Sequence, residues 1–315
     1  MSELDDHLEE GVAPDHRKGY FSLEYTSDTM VQQVALLGAG GKMGGRITDQ
    51  LAGDPAYEVR YVEPDAAGQR RLADRGINEV HASPDAALPG ADVAIMAVPD
   101  ELIGTISETI VPLLDEGSML FLLDPAAAHA GVLHERSSVT VFISHPCHPS
   151  LLQAERSLGA ADPDWFGGRG REPQDVVCAL HRGPDSAYAV GEAIARDIYA
   201  PVERAHRVTT EQMAILEPAL VESLLGACLT AIRDGMERAV EMGVPEDAAR
   251  AMLYGHLRIE FGIVFGHTDF PFSDGAKLAV DEAKEELFVD DWADRVFDPD
   301  RIEASVEQIA TPDIS

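Results

Sequence analysis

Val34-Ala-Leu-Leu-Gly-Ala-Gly-Gly-Lys-Met-Gly-Gly-Arg-Ile47 decides the fold. Apolar residues from Val34 to Leu37 run into a cluster of glycines, and a helix-compatible stretch from Lys42 to Leu51 follows. This is the pattern of a buried parallel strand turning sharply into a helix whose N-terminus faces an anion. Gly38 permits the tight turn, Gly40 or Gly41 lets the backbone approach a pyrophosphate, and Gly44 allows close packing of helix on strand. The spacing departs from G-x-G-x-x-G: Met43 holds the sixth position and the glycine falls one later, at Gly44. Gly-rich strand–helix turns also occur without a ligand. Gly38, Ala39, Gly40, Gly41, Lys42, Met43 and Gly44 are therefore a candidate dinucleotide cradle whose context must agree.

The context alternates strand and helix. Glu58–Glu63 reads as a second strand, Gly68–Gly76 as a helix and its exit, and Val80–Ala82 as a third strand. Ala91–Val98, Ser118–Leu123 and Val139–Ile143 read as the fourth to sixth strands, with a helix over Glu101–Leu114. After a Gly- and Asp-rich loop, Gly159–Pro173, come strand Asp175–His181, helix Asp185–Tyr199 and strand Val202–Val208. Strand signals stop at Thr209. Met213–Met242 is apolar nearly all round, as in a helix buried by others. Pro245–Phe265, Asp274–Leu287 and Arg301–Ile309 read as further helices. The expected fold is an α/β Rossmann domain with a mostly parallel, doubly wound sheet, followed by an all-α C-terminal domain. The expected divisions are an acidic, poorly ordered extension over 1–29, a cofactor domain over 30–208 and a helical domain over 209–315. Met30 is an alternative start.

Composition narrows the class. The chain has 315 residues and a formal net charge of −32, with acidic residues spread along its length. Its lysines are Lys18, Lys42, Lys277 and Lys284. Such a surface repels nucleic acid and anionic membranes and repels itself, which high salt screens. The pattern resembles cytoplasmic proteins of salt-in halophiles. Cys147, Cys178 and Cys228, odd in number and widely spaced, point to a reducing compartment. No run of about 18 apolar residues appears, so no membrane span is expected, and no secretory signal is visible.

In a doubly wound sheet, ligands bind outside the carboxyl ends of strands. Those ends release Gly38–Gly44, Glu63–Asp65, Val98–Asp100, Asp124–His129 and Ser144–Ser150. Glu63 can bond a ribose 2′-hydroxyl and repel a 2′-phosphate, favouring NAD over NADP, although Arg70 and Arg71 stand close. Val98, Pro99 and Asp124 flank the cofactor mouth, where Asp124 and His129 can equally be turn or cap residues. In Ser144-His-Pro-Cys-His-Pro-Ser150, His145, Cys147 and His148 could meet a substrate, exchange protons or ligate a metal. Adjacent Cys147 and His148 cannot easily share one ion. Glu217 lies in the apolar run Ile215-Leu-Glu-Pro-Ala-Leu220, where a carboxylate is expensive unless paired, protonated or metal-bound. Pro218 disturbs a helix there, or marks a helix start with Glu217 as its cap. Glu222 is a second candidate on the same helix. His256 and Glu260, at i and i+4, share a face and suit a substrate, a metal or plain helix pairing. Arg258, on another face, could meet a substrate carboxylate.

Together these pieces resemble the 6-phosphogluconate and 3-hydroxyacid dehydrogenase superfamily, a Rossmann domain followed by an all-helical domain with one long helix. Val139–Ser150 falls where that family places its substrate loop, and Val176–Val208 matches its later strand–helix–strand. Asp274-Gly-Ala-Lys-Leu-Ala279 loosely resembles a later family segment. Counted back from Gly243-Val244, the position of the family's catalytic lysine falls on Glu217. Gly-Ala-Gly-Gly-Lys-Met-Gly, His-Pro-Cys-His-Pro and Ile-Leu-Glu-Pro-Ala-Leu resemble a narrower branch with a phosphogluconate-dehydrogenase-like C-terminal domain, which includes the D-apionate oxidoisomerases. The resemblance implies an NAD-dependent oxidoreductase for a small hydroxy or sugar acid, with coupled isomerisation, and a homodimer. His145, His148 and Glu217 would be catalytic. His145, Cys147, His148, His256 and Glu260 would contact substrate, and Glu217 and Glu222 are the candidate ligands of a Mg²⁺-like ion. A plain NAD(P)-dependent hydroxyacid dehydrogenase, an imine reductase and a non-catalytic cofactor-binding sensor are the alternatives.

Overall fold

Eight strands form one sheet in the order β3-β2-β1-β4-β5-β6-β7-β8. They are β1 (Gln32–Leu37), β2 (Tyr57–Val62), β3 (Val80–His81), β4 (Val93–Met96), β5 (Met119–Leu122), β6 (Thr140–Pro146), β7 (Gln174–Arg182) and β8 (Val202–Arg207). The computed structural model describes residues 31–152, 164–167 and 172–311. The expected N-terminal extension and most of the Gly159–Pro173 loop lie outside those residues. Strands β1 to β6 are mutually parallel, β7 runs antiparallel to β6, and β8 is parallel to β7. The order reverses between β1 and β4, which creates the crevice that doubly wound sheets offer to ligands.

The central strands are buried on both faces because β4, β5 and most of β1 and β6 are apolar, whereas the edge strands β3 and β8 are partly exposed. In β1, Val34 and Leu36 face one layer and Ala35 and Leu37 the other, as the two-residue period of a strand demands. The first layer contains α1 (Lys42–Leu51), α2 (Ala66–Ala73) and α5 (Ala187–Ile198), through Ile47, Leu51, Leu72 and Ile194. The second contains α3 (Asp100–Ile110) and α4 (Ala126–His129), through Ile103, Ile110 and Ala127. The short helix α4 has no signal in the sequence because its one turn is mostly alanine.

Two expectations about local structure need correction. Strand β6 runs on to Pro146, so His145 and Pro146 stand on a strand. Antiparallel pairing with Val176 and Val177 of β7 carries the strand past the point where its apolar run ends. The long C-terminal helix starts at Thr210 and ends at Glu241, as α6 (Thr210–Ala214), a π-wound stretch over Ile215–Gly226 and α7 (Ala227–Glu241). Thr209 and Gln212 form a capping box at its start, so Glu217 is not a cap. Pro218 lies inside the π-wound stretch, where the missing N–H and the ring clash disfavour ordinary i→i−4 winding.

This helix is not buried within the chain. Its most apolar 18-residue window has a mean hydropathy of 1.6 and is 11% buried, so by length and composition it could cross a membrane. Glu217 and Glu222 interrupt the apolar residues without lowering that average much. The exposure continues. Among the described residues α7 and α9 (Asp274–Leu287) bury none, and α8 (Glu246–Val264) buries Gly262. Leu225, Leu229, Met252, Phe265 and Leu278 are each at least 49% exposed. After α10 (Trp292–Val296), α11 (Pro299–Ala310) returns to the body of the fold, packing Ile302, Val306 and Ala310 on Ala126, Ala214 and Ala219.

Candidate functional site

The Gly-rich turn is as tight as its sequence implies. Gly38 has φ +72, and a Cβ there would lie 2.3 Å from Ala97 O at the end of β4. Gly44 is held closer still: a Cβ would meet Gly38 O at 2.1 Å. Gly40 answers to α2, because its Cβ would strike the backbone of Gly68 at 2.5 Å. Helix α1 opens at Lys42 behind Gly41, with no acidic residue in its first turn, so its positive end is free to receive an anion. Ala39 is fully buried and Met43 packs against the same layer.

Glu63 follows β2 and is 7% exposed. Its Oε2 accepts from Gly40 N at 2.9 Å and its Oε1 from Asp65 N at 3.0 Å. The carboxylate thus closes the turn from the side where a ribose would lie. Arg71 Nε donates to Gly40 O at 2.7 Å, so that guanidinium is tied to the turn.

Beyond the crevice, three side chains meet. One ligand-capable atom each from Asp124, His145 and Glu217 lies within 4.8 Å of the others. Asp124 follows β5 and its Oδ1 accepts from Ala126 N, the first residue of α4, at 2.7 Å, so it is held by the backbone and also joins the cluster. His145, on β6, holds its Nδ1 2.9 Å from Leu123 O. A carbonyl only accepts, so Nδ1 carries the proton and Nε2 keeps its lone pair. Glu217 descends from the π-wound stretch above the sheet.

Burial and mutual repulsion set the protonation of this group. Burial first, then Asp124 and Glu222, push Glu217 up to about 9. Its proton is shared toward Asp124 and Glu222. Burial also raises Asp124, and burial followed by Asp124 pushes Asp100 up to about 6. Burial lowers His145, which keeps it neutral at pH 7. Carboxylates and a neutral imidazole in one small volume suit a divalent cation, which would replace the proton.

The other expected site residues separate into near and far. His148 faces His145 edge-on, with ring centroids 6.3 Å apart, and adopts φ +61, rare for a residue other than glycine. Cys147 lies on that loop with its residue surface exposed, while local desolvation of the sulfur, followed by Asp175, raises the thiol to about 11, which disfavours the thiolate at neutral pH. Glu222 is exposed but close enough to act on Asp100, Asp124 and Glu217. Val98 and Pro99 line the approach between β4 and α3. His256 and Glu260 lie exposed on α8, where His256 Nδ1 sits 2.9 Å from Met252 O of its own helix; the fold does not bring them to the cluster within one chain. His129 lies on the far end of α4, near Glu211. Asp100 is the residue the sequence reading passed over. Its signal was its place at the carboxyl end of β4.

Comparison with known proteins agrees with this layout. Residues 154–310 match the family described as phosphogluconate dehydrogenase (decarboxylating), C-terminal. The chain is 45% identical over 277 residues to a D-apionate oxidoisomerase from Rhizobium rhizogenes, covering 88% of this chain and 98% of that one. It is 42% identical over 281 residues to a D-apionate oxidoisomerase from Cupriavidus necator, covering 89% and 100%. Among solved structures, a semialdehyde dehydrogenase NAD-binding protein from Cupriavidus necator, in complex with calcium and NAD, superposes with a TM-score of 0.82 at 41% identity. That match covers 89% of this chain and all of the other.

Proposed function

The chain belongs to the D-apionate oxidoisomerase family, and from that premise we propose that it oxidises a branched sugar acid of the D-apionate type with NAD while rearranging the carbon skeleton. The observation that carries this reading is the convergence of Asp124, His145 and Glu217 at the carboxyl edge of the sheet, beside the Gly38–Gly44 turn. Bound NAD supplies the hydride acceptor, and a divalent ion such as Mg²⁺ supplies Lewis acidity for the skeletal shift. The turn and the N-terminus of α1 would hold the pyrophosphate, with Glu63 on the ribose. Asp124, His145 and Glu217 would hold the ion, and Glu222 adds negative charge from the rim.

The chain's own residues handle the protons. His148, whose pKa burial lowers, takes the proton of the substrate hydroxyl on its imidazole as the C–H bond breaks. Glu217 holds a proton at neutral pH while no ion is bound and gives it up on taking the ion, so the proton held on His148 is the one available to an oxygen of the rearranged product. Glu217 stands at a position where a plain hydroxyacid dehydrogenase, by resemblance, would carry lysine, which favours the rearranging chemistry over simple oxidation.

The exposed helical arm supports a homodimer. Apolar side chains along α7, α8 and α9 need cover, and a second copy offers the same faces, which is how two-fold interfaces arise. In that arrangement His256 and Glu260 could reach the partner's site. We take residues 30–208 as the cofactor domain and 209–315 as the helical, dimerising one. The net charge of −32 supports a cytoplasmic protein adapted to high salt.

The test is incubation with NAD and D-apionate, or with linear sugar acids, in high salt with Mg²⁺ or EDTA. NADH absorbance and the product's carbon connectivity are followed. NADH with a rearranged product, suppressed by EDTA, is expected. NADH with an unrearranged product makes the protein a simple dehydrogenase, and no NADH from any acid refutes the reading.

A further inference from the structure

Residues Asp164 to Gly167 cross over the first two turns of α1 and end against the loop that carries His148. Arg46 Nη2 lies 3.3 Å from Asp164 Oδ1, and the two side chains are 16% and 1% exposed. The Lys42 ammonium sits 3.5 Å from the centroid of the Phe166 ring, with the Arg46 guanidinium 5.0 Å from the same centroid. The ring also meets the His148 imidazole edge-on at 4.9 Å. Gly167 is packed on Gln174, since a Cβ there would approach that side chain to 2.8 Å.

The main chain completes the connection. Phe166 O lies 2.9 Å from His148 Nδ1, and a carbonyl oxygen only accepts, so Nδ1 carries the proton. His148 and His145 are therefore in the same tautomer, each with Nδ1–H tied to a backbone carbonyl and an Nε2 lone pair left over. The left-handed backbone of His148 is a conformation that persists only where neighbours hold it. Among the described residues the His148 ring meets His145 and Phe166, and its hydrogen bond goes to Phe166 O.

We propose that Asp164 and Phe166 are positioning residues: they fix the tautomer and orientation of His148 and tether it to α1, the helix that receives the cofactor. Arg46 anchors Asp164 and Lys42 anchors the Phe166 ring, so one short segment spans from the cofactor side of the crevice to the substrate side. The fixing of His148 stands on geometry alone. Its value for turnover rests on the proton-accepting role given to His148 above.

The experiment separates the two. Full-length protein labelled with ¹⁵N-histidine is studied at neutral pH as wild type, Asp164→Ala, Phe166→Ala and Phe166→Tyr, with the His148 signals assigned by His148→Gln. The wild type should show one protonated and one bare nitrogen for His148. In both alanine variants the two shifts should converge as tautomers exchange, and Phe166→Tyr should retain the wild-type pattern. Turnover should fall about tenfold or more in the alanine variants, while the dissociation constant for NAD changes less than about twofold. If Asp164→Ala does not fold, Arg46→Gln removes the same anchor. Alanine variants that melt cooperatively and keep wild-type imidazole shifts overturn the proposal. Altered shifts with unchanged turnover uphold the positioning and instead remove His148 from the reaction.

Discussion

Replacing Glu217 by glutamine should make the protein more stable while stopping its chemistry. The carboxyl has an ordinary value of 4.5 and is pushed up to about 9, first by burial and then by Asp124 and Glu222. A raised carboxyl pKa favours the fold fully below the unfolded value, and that advantage is lost as pH rises through the folded value. At pH 7 the unfolded chain carries an ionised glutamate, and the folded chain must take up a proton. At 1.36 kcal/mol per pH unit this costs roughly 3 kcal/mol. Asp124 shares that proton and water reaches part of the cluster, so about 1–3 kcal/mol is the realistic penalty. Glutamine is neutral, keeps the shape, and can donate to Asp124 without titrating. For a chain of this size about 1 kcal/mol moves the midpoint by about 2–4 °C, so Glu217→Gln should melt about 2–12 °C higher at pH 7. Thermal unfolding with EDTA at pH 5, 7 and 9 measures it. The gap should be small at pH 5, widen through pH 7 and level off near pH 9. Added Mg²⁺ or Ca²⁺ should narrow it by stabilising the wild type alone. A gap that is negative, or the same at all three pH values, would refute the account of the cluster.

Three further outcomes follow from other parts of the molecule. Glu63→Ala leaves the N–H groups of Gly40 and Asp65 without their acceptor, at about 1–3 kcal/mol for an unsatisfied buried group. It should weaken NAD at least about tenfold and erase discrimination against NADP in binding titrations; an unchanged NAD/NADP ratio counts against the ribose assignment. Gly44→Ala places a methyl 2.1 Å from Gly38 O and should abolish measurable NAD binding. Gly235→Ala, where a Cβ meets nothing within 4 Å, should bind normally and gain about 0.4–1 kcal/mol. Light scattering after gel filtration in high salt should give twice the chain mass, and Leu229→Glu with Ile232→Glu should shift it toward one chain mass. A wild type that stays monomeric, or that runs only as detergent-bound particles, would contradict a second copy as the cover.

The central strands of the sheet were legible because they are written locally. Val34–Leu37 and Val93–Met96 are short apolar runs closed by glycine or proline, and a strand buried on both faces needs nothing more. The tight turn after β1 was legible for the same reason, since the close packing of Gly38 and Gly44 and the bond from Gly40 to Glu63 follow from positions next to strand ends. The substrate side was less so. That His145 stands on a strand depends on pairing with β7, about 30 residues later, and that Asp124 meets Glu217 depends on how a distant helix crosses the sheet. Asp100 was missed because an aspartate in the first turn of a helix is an ordinary favourable neighbour of the dipole. The exposure of Thr210–Glu241 was unreadable because an apolar helix reads alike whether its own chain or another copy covers it.

By resemblance Glu217 stands where related dehydrogenases carry a catalytic lysine, and its surroundings would restore part of what that lysine supplies. At neutral pH a carboxyl held up to about 9 carries a transferable proton, as an ammonium does, but without its positive charge. The difference lies in what each group does when a cation arrives. An ammonium beside Asp124 and His145 would neutralise one and repel any metal from both. A neutral carboxyl surrenders its proton to the incoming ion and becomes a ligand. The same pressure that keeps Glu217 protonated, too many acids in too little water, is the pressure that a divalent charge relieves. Carbon-skeleton rearrangement needs adjacent oxygens polarised together, which one amine cannot do and a bound ion can. On the proposed reading the carboxyl would suit the crevice to a different class of chemistry, with the repulsion among Asp100, Asp124, Glu217 and Glu222 as the physical ground for it.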